Sequence, residues 1–285
     1  MARTRATLIG FTAVLLWALL ALLTVGSAPV PPLQLNALCF AIGGTLGLIW
    51  LAASGGFARL SGVSWRVYAF GTAGLFGYHA LYFSALRAAP AAQASLIAYL
   101  WPLFIVLFSG LLPGERLRAA HILGAALAFA GAALVVLRGG GGYDPAALPG
   151  LGLAFLCALT WSGYSILSRR LGSVPSEVVT VYCLLTALLS TLAHLALETT
   201  VWPQTATGWA SIAALGLGPV GLAFFTWDIG VKRGDIQLLG VTSYAAPLLS
   251  TIILVLAGQA AGSLSLLASA GLIAAGAALA AWASA

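Results

Sequence analysis

The chain has 285 residues, of which 61% are hydrophobic and 6% charged, where a soluble domain carries about 25% charged residues. That balance excludes a water-soluble globular protein. The 12 Lys and Arg against 6 Asp and Glu give a net charge of +6. They are scattered in ones and twos, so no nucleic-acid surface and no nucleic-acid partner is expected.

A membrane-spanning helix needs about 20 mostly apolar residues, and dividing the chain at Gly, Pro and charge clusters gives ten candidates. The first, 6–25, follows Arg3 and Arg5 and carries Trp17 mid-span. Gly26-Ser27-Ala28 resembles a signal-cleavage site, but the apolar stretch is long for a signal core. It is therefore read as a retained helix. The second span is 34–54. On the third, 66–86, Leu75, Tyr78, His79 and Tyr82 share one face at i, i+3, i+4 and i+7. On the fourth, 90–112, Ala92, Ser95 and Tyr99 share a face. Trp101 lies about 200° round from Tyr99 on a straight helix, so Pro102 is read as a bending point that could bring both to one centre.

The fifth span, 119–137, ends at the irregular stretch 138–149. The sixth, 149–168, carries Trp161, Tyr164, Ser165 and Ser168 as a stripe, with Trp161 in the place Trp17 holds on the first. The seventh is 177–197. The eighth, 208–231, sets Phe224 and Trp227 on one face, and Asp228 four residues before Lys232, the spacing of a local ion pair. The ninth, 235–257, aligns Gln237, Val241 and Tyr244; the tenth is 265–284.

The chain also resembles itself. Laying Tyr82–Leu117 on Trp227–Leu264 pairs Arg87 with Lys232, Tyr99 with Tyr244 and Pro102 with Pro247 at one spacing. Strict spacing sets Ala260 opposite Glu115; a one-residue slip matching Gly258 to Gly114 sets Gln259 there. An odd number of spans separates the copies, so they run oppositely through the bilayer, as in transporters whose site opens to either side. The expected fold is an all-α membrane protein of ten transmembrane helices, in two inverted five-helix repeats (1–140 and 141–285) around a central cavity. With the N-terminus in the cytoplasm, Arg3, Arg5, Arg59, Arg66, Arg116, Arg118, Arg169, Arg170, Lys232 and Arg233 fall inside and Arg87 and Arg138 outside. Ten against two follows the positive-inside rule and places both termini in the cytoplasm.

Trp50, Trp65, Tyr68, Trp202, Trp209 and Trp282 lie near span ends and read as interface anchors. Mid-depth polar rings need partners or water instead. Trp17, Tyr78, His79, Tyr82, Tyr99, Trp101, Trp161, Tyr164, Trp227 and Tyr244 are therefore the candidate substrate-binding residues, with Pro102 and Pro247 as candidate hinges. Such a cavity is rich in rings and hydroxyls and nearly free of fixed charge. It suits a flat apolar ligand with a few polar groups, whose ammonium can lie on a ring face.

Mid-depth Lys or Arg is missing, which disfavours phosphorylated sugars, and no acid lies mid-way along the first span, which disfavours proton exchange of permanent cations. There is no phosphate-binding GxxxxGK[ST] motif and no GxSxG, and His79, His121 and His194 lie on different spans, so a polytopic membrane enzyme is disfavoured. Cys39, Cys157 and Cys183 lie in apolar runs without a CxxC and read as packing residues. No metal site and no cofactor is expected. His79 is the residue to which proton coupling would fall.

Ala94-Ser95, Tyr99-Leu100-Trp101-Pro102 and Gly114-Glu115-Arg116, within ten spans in two inverted halves, resemble the drug/metabolite transporter superfamily, and more narrowly its EamA-type exporters. The resemblance covers essentially the whole chain and is similar, within that group, to bacterial exporters of aromatic amino acids. It implies a multi-pass inner-membrane protein that moves aromatic and other neutral amino acids outward. The partners expected are that small-molecule substrate and membrane lipid, with a monomer as the candidate state. The resemblance also implies that helices 1, 3, 4, 6, 8 and 9 surround the cavity while 5 and 10 lie outside it. Other small neutral metabolites or drugs are the alternative cargo.

Overall fold

The structure, a computed structural model, describes residues 1–137, 145–258 and 264–284. Arg138, the expected boundary at 140/141, Gln259 and Ala260 lie outside the described residues. Every regular element among the described residues is helical. The helices are α1 (Arg3–Trp17), α2 (Leu20–Gly26), α3 (Pro32–Ser54), α4 (Trp65–Ala88), α5 (Ala91–Ala98), α6 (Trp101–Ser109) and α7 (Ala119–Val136). They continue as α8 (Leu148–Arg170), α9 (Val178–Leu197), α10 (Ala206–Leu217), α11 (Ala223–Arg233), α12 (Ile236–Thr242), α13 (Ala245–Leu256) and α14 (Leu264–Ser284).

Among the described residues, 7 helical stretches are long and apolar enough to cross a membrane: α1–α2, α3, α8, α9, α10–α11, α12–α13 and α14. The α5–α6 unit and α7 are apolar but shorter. Helix α4 has 24 residues, ample length, but its tyrosines, histidine and threonine dilute its apolar character.

Local chemistry sets the ends. Pro32 opens α3, where a missing N–H costs nothing. Ser64, Thr205 and Asp235 accept from the amides of Arg66, Gly208 and Leu238 to start α4, α10 and α12. Gly114 (φ +81°) and Gly258 (φ +70°) hold left-handed conformations beyond α6 and α13. They are the two glycines that the one-residue slip in the repeat matches.

Several stretches are not continuous helices. The first turns at Ala18–Leu19, directly after Trp17; α5 gives way to α6 at Tyr99–Leu100, and α12 to α13 at Ser243–Tyr244. Pro102 occupies the first turn of α6 and Pro247 that of α13, positions proline tolerates. Between α10 and α11 the helix widens into a π turn at Gly218–Leu222.

Helices from the two sequence halves interleave. Helix α1 packs on α11 and α4 on α8, while α3 packs on α9 and α7 on α14. Small residues allow these approaches. A Cβ on Gly124 would lie 2.6 Å from the Gly276 carbonyl oxygen, and one on Gly276 would lie 2.4 Å from that of Gly124, so α7 and α14 meet backbone to backbone.

Ion pairs gather at the two ends of the bundle. At one end Glu115 pairs with Arg169 and with Arg3, which also reaches Asp235 at 3.2 Å. Arg169 further donates to the Gly234 carbonyl at 2.8 Å, and Arg59 pairs with Glu177. The C-terminal residues meet this same end, since Arg118 donates to the Ala283 carbonyl at 2.7 Å. The chain's first and last helices thus start and finish together.

At the other end Glu198 accepts from the Leu33 and Gln34 amides at 3.0 and 3.1 Å and pairs with Arg87 at 2.6 Å and His194 at 3.0 Å. Burial opposes charge on Glu198, but the Leu33 amide, His194, the Gln34 amide and Arg87 together outweigh it and hold its pKa below the ordinary glutamate value of 4.5. A depressed carboxylate stabilises the fold fully above the unfolded value, and that stability is lost as pH falls through the folded one. Glu198→Gln is expected to flatten the acid limb of a melting-temperature profile below pH 4.5, and an unchanged limb would show that the contacts contribute nothing.

Candidate functional site

Four tryptophans from four different helices meet in the interior. Trp17 ends α1, Trp101 opens α6, Trp161 lies on α8 and Trp227 on α11. The Trp17 ring lies 5.1 Å from Trp227, 5.9 Å from Trp161 and 6.1 Å from Trp101. Trp161 extends the group to Tyr78 at 5.4 Å, Phe224 at 5.6 Å and Tyr164 at 5.1 Å. Tyr78 stacks on Tyr82 at 6.1 Å and meets His79 edge-on at 5.2 Å.

Helix breaks aim these rings. The turn at Tyr99–Leu100 ends the rotation fixed by a straight helix, so Trp101 joins the cluster although Tyr99 lies on another face. The π turn after α10 leaves the Pro219 carbonyl to accept from the Trp17 indole N–H at 3.1 Å. Ser165 accepts from the Trp227 indole at 3.1 Å. Among the described residues, the Trp101 and Trp161 indoles have no hydrogen-bond acceptor in the protein.

Hydroxyls and the imidazole lie to one side of the tryptophans. The Tyr82 hydroxyl and Ser95 Oγ are 3.0 Å apart, and Tyr99 lies close to Tyr82. His79 Nδ1 is 2.7 Å from the Leu75 carbonyl; a carbonyl accepts, so Nδ1 carries the proton and Nε2 is the acceptor. Trp17, Tyr78, His79, Tyr82 and Tyr99 are partly exposed, whereas Trp101, Trp161 and Trp227 are buried. The buried rings therefore form the floor of the cluster, and the partly exposed ones lie beside it.

Two expected residues sit elsewhere. Tyr244 is fully buried beside Phe129, and its hydroxyl accepts from the Leu103 amide at 3.1 Å. The first amides of a helix lack intrahelical partners, so Tyr244 caps the restart of α6 rather than joining the tryptophans. Tyr244→Phe is expected to cost about 1–3 kcal/mol by stranding that amide, measurable as a lowered melting temperature. Tyr164 stacks on Trp161 and on Phe70 at 5.5 Å, below the floor.

Phe40 completes the wall against His79 at 5.1 Å and Phe224 at 5.4 Å. A phenylalanine in an apolar run carries no sequence signal, so this position was invisible beforehand. The three cysteines are buried and free. No group of three His, Cys, Asp or Glu is gathered as a metal would need, among the described residues. A 330 Å³ groove on the outer side of α3, lined by Leu38, Ile42 and Leu217, is apolar and lies apart from the rings; it suits acyl chains rather than a polar cargo.

The arrangement presents ring faces and edges, offers two free indole donors, and carries no fixed charge. Comparison with known proteins agrees in kind. The model of the EamA-like transporter family matches residues 4–137 and again 148–282. The chain is 54% identical to the aromatic amino acid exporter YddG of Ancylobacter novellus, over 98% of each chain. It is 28% identical to the protein of that name from Salmonella typhimurium, over 88% of each. A probable terminal-alkyne amino-acid exporter of Streptantibioticus cattleyicolor is 28% identical over 58% of this chain and 55% of its own. A crystal structure superposes with a TM-score of 0.94 at 53% identity, covering 99% of both chains. Two family matches in tandem, spanning nearly every helix, make this chain a member of the EamA-like transporter family, and so a multi-pass membrane transporter rather than an enzyme.

Proposed function

We propose that the chain exports aromatic and other neutral amino acids across the bacterial inner membrane by alternating access. The observation that carries this reading is the uncharged cluster of Trp17, Trp101, Trp161 and Trp227, assembled from both sequence halves. Relatives named as amino acid exporters support the substrate class.

The architecture proposed is ten spans in two inverted repeats, with both termini cytoplasmic. The packing supports it: exchanging each span with its counterpart five places on turns the α1–α11 contact into the α4–α8 contact and returns α3–α9 and α7–α14 to themselves. Helix breaks at Tyr99 and at Tyr244, each just before Pro102 or Pro247, support those prolines as paired bending points. In this architecture Arg3, Arg169, Glu115 and Asp235 tie the two halves together at the cytoplasmic end. Substrate rings lie against Trp17, Trp161 and Tyr78, and polar groups meet the Trp101 and Trp161 indoles and the hydroxyls of Tyr82 and Tyr99.

Facilitated diffusion needs no further group. The proton-linked alternative rests on His79, whose Nε2 is free to take a proton. Purified protein in liposomes is expected to move radiolabelled phenylalanine and tryptophan down their gradients. Absence of flux for both would sink the substrate assignment. Stimulation by a pH gradient that His79→Ala abolishes would select proton coupling.

A further inference from the structure

Among the described ion pairs, Lys232–Asp228 is the one most fully withdrawn from its surroundings. Lys232 Nζ lies 2.8 Å from Asp228 Oδ2, with side-chain exposures of 2% and 1%. The same ammonium donates to the Val174 carbonyl at 3.1 Å. The pair sits one layer below the rings, on the side of the Glu115–Arg169 network. Helix α11 carries both layers, since Trp227 belongs to the ring floor and Asp228 follows it. Tyr164 links the layers from α8: its ring stacks on Trp161, and its hydroxyl lies within electrostatic reach of Asp228. Tyr182 and Ser176 face the same carboxylate. One residue before Lys232, the Val231 carbonyl accepts from Arg169 at 3.2 Å. Hydroxyl-bearing side chains therefore run from the tryptophans toward the Glu115–Arg169 end.

Burying two charges costs several kcal/mol per ion, and apolar residues of similar volume usually brace a fold as well or better. The pair therefore calls for a use beyond bracing. A free amino acid is a zwitterion that carries an ammonium and a carboxylate on one carbon. The ring cluster holds no fixed charge to meet either group, whereas Asp228 and Lys232 present one partner for each.

Resting on the export reading above and its cytoplasmic N-terminus, we propose that Asp228 and Lys232 form a second substrate subsite on the cytoplasmic side of the rings. It takes the zwitterionic head of an α-amino acid before its side chain reaches Trp161. The substrate ammonium replaces Lys232 at the Asp228 carboxylate, and the substrate carboxylate replaces Asp228 at the Lys232 ammonium. One internal ion pair becomes two intermolecular ones, so neither buried charge is stranded during the exchange. Opening of the Glu115 network gives access to the subsite, and its closure covers the subsite once the ring has moved up.

The test uses the full chain in sealed vesicles of both orientations, with radiolabelled tryptophan as the transported species. Unlabelled tryptophan, tryptamine (ammonium alone) and indole-3-propionate (carboxylate alone) are offered as competitors at the cytoplasmic face. With the wild type, tryptophan is expected to compete about tenfold better than either analogue, the worth of one charge-assisted contact. D228N/K232Q removes both charges together and is expected to erase that preference. A double variant that folds, transports and keeps the wild-type preference overturns the inference and leaves export standing. A wild type without any preference at that face overturns it equally, with no variant needed. A wild type that moves no aromatic amino acid overturns the export reading, and this inference with it.

Discussion

Trp161→Ala is expected to abolish measurable transport of tryptophan and phenylalanine and to lower the protein's stability. Trp161 is 3% exposed, and its ring contacts Trp17, Trp101, Tyr78, Tyr164, Phe224 and Trp227. Truncating a buried tryptophan to alanine costs about 3–5 kcal/mol, through lost transfer energy and the cavity left behind. It also removes an indole stacking face and one of the two free indole donors in the floor. Trp161→Phe separates these effects. It keeps a ring and most of the packing, so its melting temperature is expected to stay near the wild type, while the missing indole N–H weakens substrate affinity. Proteoliposome flux and thermal unfolding on the same preparations check both. Wild-type flux in Trp161→Ala would place the substrate elsewhere than against these rings.

Asp228→Asn alone is expected to be strongly destabilising at the charged layer. It leaves the Lys232 ammonium buried beside a neutral amide, and removing one partner of a buried pair costs about 3–5 kcal/mol. Lys232→Gln strands Asp228 in the same way. The double variant D228N/K232Q strands neither charge and is expected to unfold at a higher temperature than either single variant. A double-mutant cycle read by thermal unfolding gives the coupling directly. Additive destabilisation would mean that the two groups act independently despite their 2.8 Å separation.

Much of the fold was legible in the sequence. The all-helical membrane fold and the interface tryptophans follow from one-dimensional rules, and Trp65, Trp202, Trp209 and Trp282 are exposed near helix ends as read. The i, i+4 spacing of Asp228 and Lys232 also announced their ion pair. Helical phase picked out Tyr78, His79 and Tyr82 because one continuous helix keeps phase along its length. Where helices are broken it was no guide: straight-helix phase set Trp101 about 200° round from Tyr99, and only the turn between α5 and α6 brings Trp101 into the cluster. The likeness of Tyr99 and Tyr244 along the chain did not carry into equal surroundings, since Tyr99 neighbours Tyr82 while Tyr244 caps α6.

What the sequence determined by itself was the solvent of this protein and the inventory of its interior. A chain with 6% charge cannot fold around a core in water, and polar rings at mid-depth need partners inside the bundle. The tertiary structure alone decided which rings meet. Helices pack across the halves, α1 on α11 and α4 on α8, and contacts between residues more than 100 positions apart depend on where helices bend and which glycines let backbones touch. Those are properties of pairs of surfaces, and a linear pattern records only one surface at a time.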